Sequence, residues 1–109
     1  MGDLKAAAAK ARGPLRAINM VDFDAFKKHR HPGSYHVVPG DARGEWFFWY
    51  CCPCGCGVIA PITVGANFKP PQSPSWNWNV STTEPTLTPS VHHKGHWHGW
   101  LTDGYWRSV

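Results

Sequence analysis

From Ser34 onward the chain consists of short apolar stretches separated by turn residues, a pattern that is typical of β-strands. The first stretch, "SYHVV", ends at Pro39-Gly40. The second, "EWFFWYCC", is apolar at successive positions, which predicts a central strand covered on both faces. The third, "GVIAPITV", contains Pro61, which favours an edge strand or a bulge. We expect these three segments to form a meander.

The remaining strands follow a loop rich in Pro and Ser at residues 65–75. They are predicted in "WNWNV", "PTLTPSV", "GHWHGWL" and "YWRSV". The sequence therefore predicts a small, mainly antiparallel β domain over residues 34–109. The fold class is mainly β, and the short helices would make it at most α+β. We expect its core to contain large apolar residues: Trp46, Trp49, Val58, Ile62, Trp76, Leu87, Trp97 and Leu101.

Residues 1–33 have a different pattern, which predicts an N-terminal arm with one or two short helices. Asp3 can cap a helix through "LKAAAAKAR". A second helix fits "DFDAFKKHR", with Asp22 as its cap and Pro32-Gly33 at its end. Residues 1–30 contain seven basic and three acidic residues, so the net charge of +4 belongs to this basic arm.

A chain of 109 residues is sufficient for one domain whose core alone supplies little stability, so a metal ion or cross-link would matter. No window approaches the roughly 18 unbroken apolar residues of a membrane span, and no secretion signal is apparent. We therefore expect no membrane partner and a location in the cytoplasm.

All four cysteines lie in "CCPCGCG", residues 51–57. In a reducing compartment, clustered thiols are more often metal ligands than disulfides. In an extended chain, Cys52, Cys54 and Cys56 point to one side and Cys51 to the other. The intervening Pro and Gly allow the chain to wrap around one ion, and zinc is the favoured ion because it binds four thiolate or imidazole ligands. Four buried core thiols or a disulfide are the alternatives.

The fourth ligand must come from elsewhere, and "HHKGHWHGW" is the richest source of imidazole. His96 and His98 share one face of the strand predicted at residues 95–101. The preferred zinc site is therefore Cys52, Cys54, Cys56 and His98. His96 is the alternate fourth ligand, and His93 and Cys51 stay open as further candidates.

The combination of "CPCGCG", "WNW", "PTLTPSV" and "HWHGWLTDG" over residues 46–106 resembles an uncharacterised family of small phage and bacterial proteins. Some members carry a misleading ammonia monooxygenase label, and some sit in bacterial ubiquitin-like operons. In that family a Cys-x-Cys-Gly-Cys-Gly stretch is paired with a later Cys or His and a further His. The resemblance thus implies a metal site that matches Cys52, Cys54, Cys56, His96 and His98. It implies no particular reaction.

These features predict binding rather than turnover. The C-terminal half offers only Glu84 and Asp103 as general bases beside a metal, so we expect no enzyme. The leading expectation is a zinc-stabilised, phage-encoded assembly module, located in the host cytoplasm or in the virion. Its arm would dock on a neighbouring subunit of a homo-oligomer or of the virion. One alternative is a nucleic-acid-binding zinc protein that uses residues 1–30. The other is an accessory factor of a bacterial ubiquitin-like conjugation or defence system.

Overall fold

The computed structural model describes residues 14–109, and these residues form nine strands and one helix. The helix α1 spans Phe23–His29. The strands are β1 (Leu15–Arg16), β2 (Ile18–Asn19), β3 (Ser34–Pro39), β4 (Glu45–Cys51), β5 (Ile59–Ala66), β6 (Trp76–Trp78), β7 (Leu87–His93), β8 (Trp97–Thr102) and β9 (Tyr105–Ser108). The prediction of a mainly β domain is confirmed.

All nine strands belong to one nearly closed sheet, in the order β1-β9-β8-β7-β6-β5-β4-β3-β2. Neighbours are antiparallel except for the parallel pairs β2–β3 and β5–β6. β1 and β2 lie at the two ends of this order but are separated in sequence only by Ala17. The Ala17 backbone N–H donates to the Gly104 carbonyl over 2.8 Å. The two edges of the sheet therefore meet at residue 17, which leaves little exposed edge.

Stacked aromatic rings fill the inside of the sheet. The Tyr35 and Phe48 rings are nearly parallel with centroids 4.8 Å apart, and Trp78 meets Phe48 edge to face. Of the predicted core residues, Leu87, Trp97 and Leu101 are buried, and Trp46, Ile62 and Trp76 pack against the buried cluster. Val58 is 40% exposed, so its assignment to the core is wrong. It lies in the turn before β5, outside the alternation of the strands.

Helix α1 covers part of the outside of the sheet. Asp22 caps the helix by accepting hydrogen bonds from the backbone of residues 24 and 25, as the sequence predicts. Phe26 is fully buried beneath it, and the Phe23 ring lies 5.1 Å from that of Trp49. Because α1 shields the outer side of β4, this strand is apolar on both faces. Trp49 accordingly packs under the helix and not inside the sheet, which corrects its predicted place.

Residues 1–13 lie outside the described part of the chain, and with them the helix predicted after Asp3. The division of the chain at residue 33 stays a prediction. Within the described residues, positions 15–19 contribute strands to the same sheet as residues 34–108. No helix in residues 14–109 has the length and apolar character needed to span a membrane.

Tyr35 supports the core with a buried hydroxyl that donates to the Thr82 carbonyl over 2.7 Å. Tyr35→Phe should lower the free energy of unfolding by about 1 kcal/mol, since it removes this hydrogen bond and leaves the Thr82 carbonyl without the hydroxyl donor. Burial raises the pKa of Tyr35 to about 12, an effect partly offset by Arg16. Because the unfolded tyrosine ionises near pH 10, the stability that the neutral phenol contributes below pH 10 is lost as the pH rises towards 12.

Thermal unfolding followed by circular dichroism between pH 8 and pH 11 tests this expectation. The thermal midpoint of the wild type should decrease as the pH rises above 10. Tyr35→Phe should have a lower thermal midpoint at pH 8, and its midpoint should decrease less between pH 10 and pH 11. Equal slopes for the two proteins would exclude Tyr35 as a source of the alkaline loss.

Candidate functional site

The cysteine turn, residues 52–57, connects β4 to β5. Its ends are held by the Cys52 N–H, which donates to the Val58 carbonyl over 2.9 Å. Gly55 and Gly57 have φ values of 89° and 84°, in the left-handed region that glycine adopts without strain. This tight turn brings the sulfur atoms of Cys52, Cys54 and Cys56 within 4.8 Å of one another. They could hold a metal ion, and here the chain gathers them by turning rather than by the alternation of a strand.

Burial dominates the electrostatics of the turn. Cys52 and Cys54 are buried, whereas Cys56 is exposed. Burial raises the pKa of Cys52, since desolvation disfavours the thiolate. The Cys52 and Cys54 sulfurs lie 3.3 Å apart, closer than the roughly 3.8 Å expected for two sulfurs around a tetrahedral ion at a zinc–sulfur distance of about 2.3 Å. A bound cation would stabilise the thiolates that burial disfavours. The donor set therefore suits a thiophilic metal ion.

Two histidines are connected to this cluster through Tyr50: His93, the last residue of β7, and His96, in the turn that follows. Burial raises the pKa of Tyr50 to about 12, and the negative charge of the nearby Cys52 and Cys56 thiolates adds to this effect. The Tyr50 ring also meets the His93 ring edge to face, with centroids 6.3 Å apart. The His96 ring lies 4.7 Å from that of His93. His93 Nδ1 is buried and has no hydrogen-bond partner among the described residues. Burial lowers the pKa of His93, and repulsion from a charged His96 lowers it further, so the neutral imidazole is favoured.

His98 occupies a different place from His93 and His96. Its Nε2 lies 3.0 Å from Ser90 Oγ, and its ring lies 4.6 Å from that of His92 on the neighbouring strand. Ser90 is in β7 and His98 in β8, and both side chains point away from the core. The Ser90 carbonyl accepts a hydrogen bond from Trp76 Nε1 over 3.0 Å, which fixes the backbone at this position.

A serine hydroxyl within 3.0 Å of an imidazole nitrogen is the arrangement needed for nucleophilic catalysis. The imidazole can accept the hydroxyl proton as the oxygen attacks. Within residues 14–109 no carboxylate hydrogen-bonds to the His98 ring, so the pair is a dyad. The pairing of β7 with β8 shifts register between Leu87 and Val91, and such irregularities often re-aim a side chain beside an active site.

A second serine also has a basic neighbour. Lys69 Nζ lies 3.0 Å from Ser75 Oγ. Ser75 is only 3% exposed, and its hydroxyl donates to the Pro70 carbonyl over 2.6 Å. This hydroxyl is thus less accessible than that of Ser90, and its proton is directed at a backbone oxygen.

The comparison with protein families bears directly on these serines. A family model described as "Bacterial ubiquitination-like system serine protease (BubE)" matches residues 22–109. The chain belongs to the BubE family. No curated protein and no solved structure matches it. The family match extends beyond residues 46–106, the range of the resemblance drawn from the motifs.

Membership of the BubE family corrects one expectation and supports another. The expectation that the protein is not an enzyme is wrong, because the family is named as a serine protease. The same name links the family to a bacterial ubiquitination-like system, which agrees with the alternative function and not with virion assembly. Of the predicted metal ligands, the structure brings together Cys52, Cys54 and Cys56.

Sequence reasoning missed Ser90. The hydroxyl lies in "PTLTPSV", a segment interpreted only as a strand. The available signal was the hairpin: "PTLTPSV" and "GHWHGWL" are consecutive predicted strands joined by a short turn. Pairing them in antiparallel register places a serine and a histidine on one face.

Proposed function

We propose that this BubE-family protein is a serine protease in which Ser90 is the nucleophile and His98 the general base. The observation that carries the proposal is the 3.0 Å contact between Ser90 Oγ and His98 Nε2 on the outward side of the sheet. The family name supports the reaction class. The geometry supports the choice of serine, since Ser90 combines access to solvent with an imidazole partner.

The reaction follows from this geometry. Ser90 Oγ attacks the carbonyl carbon of the scissile bond while His98 Nε2 accepts the hydroxyl proton. His98 then donates this proton to the leaving amine, the C–N bond breaks, and an ester to Ser90 remains. A water molecule gives its proton to His98, attacks the ester and releases the carboxylic acid. The proton returns to Ser90, which restores the enzyme.

The substrate class follows from the family name. A ubiquitination-like system joins the C-terminus of a small modifier protein to an amine, and a protease in such a system acts on the bond that follows this C-terminus. We therefore propose that the substrate is a peptide or isopeptide bond at the C-terminus of a ubiquitin-like modifier. An active site on an open sheet face suits it, because an extended tail can lie across the strands while the folded modifier stays outside.

We also propose that the metal ion is zinc, bound by Cys52, Cys54 and Cys56 with His93 as the fourth ligand. Zinc prefers sulfur and imidazole ligands in a tetrahedral arrangement. His93 is the favoured imidazole because its buried Nδ1 has no partner among residues 14–109, a costly state that coordination would relieve. Of the two histidines predicted as ligands, His96 neighbours His93 and is the alternate, whereas we assign His98 to Ser90.

In this proposal the zinc has a structural role. It would join the cysteine turn, between β4 and β5, to His93 at the end of β7, and so fix the turn that leads to β8. His98 directly follows Trp97, the first residue of β8. A firmly held β7–β8 turn thereby keeps His98 in register with Ser90.

Substitution of the two neighbouring histidines tests the catalytic proposal. His98→Gln should lower kcat by about 100- to 10,000-fold, the usual range for the loss of a general base. His92→Gln is the matched control, since its ring lies beside that of His98 but, within residues 14–109, the imidazole bonded to Ser90 Oγ is that of His98. The substrate is a ubiquitin-like modifier with a C-terminal extension, and the cleaved tail is quantified by mass spectrometry. Equal losses in both variants would contradict a specific role for His98.

A further inference from the structure

The outer face of β7–β9 is the surface around Ser90 that a substrate would meet. Along β8 and β9 its side chains alternate with buried ones and point away from the core, whereas in β7 the alternation is interrupted by the register shift between Leu87 and Val91. It is formed by Thr88, Ser90, His92, His98, Trp100, Thr102, Tyr105 and Arg107. These eight residues include two histidines and an arginine but neither aspartate nor glutamate.

Arg107 supplies the positive charge of this face. It is paired across the β8–β9 ladder with Trp100, so the two side chains lie next to each other on the same side of the sheet. The Arg107 side chain is exposed and forms neither a hydrogen bond nor an ion pair with any residue in the described part of the chain. Arg16, near the same edge, is already engaged: its guanidinium lies over the Tyr105 ring and donates to the Thr83 carbonyl over 2.7 Å.

Trp100 lies between Arg107 and the dyad. It follows His98 by two residues in β8, which places both on the same face. Its side chain is 44% exposed, and its indole N–H has no acceptor among residues 14–109. A large exposed aromatic ring next to a catalytic pair offers an apolar contact for a bound chain, and tryptophan is common among residues that anchor protein partners.

We propose that Arg107 binds an acidic side chain of the polypeptide substrate within about three residues of the scissile bond, while Trp100 packs against the intervening residues. This inference rests on the proposed function. β8 separates β7 from β9, so Ser90 and Arg107 are about two strand spacings, or roughly 10 Å, apart. An extended peptide advances about 3.3 Å per residue and covers this distance in about three residues.

The chemistry of the face selects an acidic substrate. A guanidinium binds a carboxylate through two parallel hydrogen bonds, and none of the described residues on this face offers a carboxylate that would compete for Arg107. The histidines next to Ser90 add no negative charge. A lysine or arginine at the same substrate position would instead meet the Arg107 charge and be disfavoured. Arg107 thus acts as a specificity-determining residue for the proposed protease.

Cleavage of a peptide library tests this inference. The library is a digest of a bacterial proteome, and the cut positions are read by mass spectrometry. Wild type should cleave with Asp or Glu enriched at one position within about three residues of the cut. Arg107→Gln should lower kcat/KM for these peptides by about 3- to 10-fold and remove the enrichment, as expected for an exposed ion pair. Arg107→Glu should shift the enrichment to Lys or Arg at that position.

Lys28→Gln is the matched control, because it removes one exposed positive charge from α1, away from the outer face. It should keep the wild-type preference. If cleavage depends on Ser90 but shows no Asp or Glu preference, clusters at peptide C-termini instead, or keeps its preference in Arg107→Gln, the inference is overturned and the proposed function stands. If no peptide is cleaved, the inference alone is overturned. If Ser90→Ala cleaves as wild type does, both are overturned.

Discussion

Ser90→Ala should lower the rate of cleavage of an extended ubiquitin-like modifier by at least about 1,000-fold, because it removes the only atom that forms the acyl-enzyme. The variant should fold normally. Ser90 is half-buried, and within residues 14–109 its side chain bonds only to His98. The hydrogen bond from Trp76 Nε1 to the Ser90 carbonyl does not depend on the side chain. Single-turnover cleavage followed by gel electrophoresis measures the loss, and circular dichroism checks the fold.

Ser75→Ala provides the comparison, since Ser75 also has a basic neighbour. We expect it to keep catalytic activity while losing some stability, because the Ser75 hydroxyl donates to the Pro70 carbonyl inside the fold. The reverse result, an inactive Ser75→Ala and an active Ser90→Ala, would move the nucleophile to the Ser75–Lys69 pair and refute the dyad proposed here.

Cys56→Ala should abolish binding of the zinc ion proposed at the cysteine turn and lower the thermal midpoint. Cys56 is the exposed member of the cluster, so its replacement leaves no core cavity, and any large loss of stability must come from the metal. Zinc binding contributes about 4 kcal/mol when free zinc exceeds its dissociation constant 1,000-fold. For a domain of this size that corresponds to a fall of about 15–30 °C. Inductively coupled plasma mass spectrometry gives the zinc content and calorimetry the midpoint.

Cys51→Ala is the neighbouring control. Cys51 is buried at the end of β4 and is not among the three clustered sulfurs, so this variant should keep its zinc. The fourth ligand is tested in the same way. His93→Gln should lose zinc to a chelator more readily than the wild type, whereas His96→Gln should hold zinc as the wild type does. Full zinc content in Cys56→Ala would contradict a metal site at the cysteine turn.

The fold was largely predictable because the apolar pattern is local. β3, β4 and β5 follow from short apolar stretches between turns, and α1 follows from its Asp22 cap. The closure of the sheet was not predictable. β1 and β2 have two residues each, too few to carry a periodic signal, and they become strands only because both edges of the sheet meet at Ala17.

The candidate site was also predictable only where it depends on residues close in sequence. Three cysteines within five residues are close in space for any tight turn, so their cluster could be predicted. The histidines could not be assigned, because a strand over residues 95–101 places His96 and His98 on one face. β8 instead begins at Trp97, so His96 lies in the turn, where its N–H donates to the His93 carbonyl, and His98 lies beside Ser90. A shift of strand start by two residues separates the two roles.

Reaction with a fluorophosphonate, which modifies only activated serine hydroxyls, tests the central claim most directly. After digestion, mass spectrometry locates the modified residue. The Ser90–His98 dyad predicts one adduct, on Ser90, that is absent from His98→Gln and present in His92→Gln. An adduct on Ser75 or any other serine, or a protein that cleaves its substrate but does not react, would contradict the assignment.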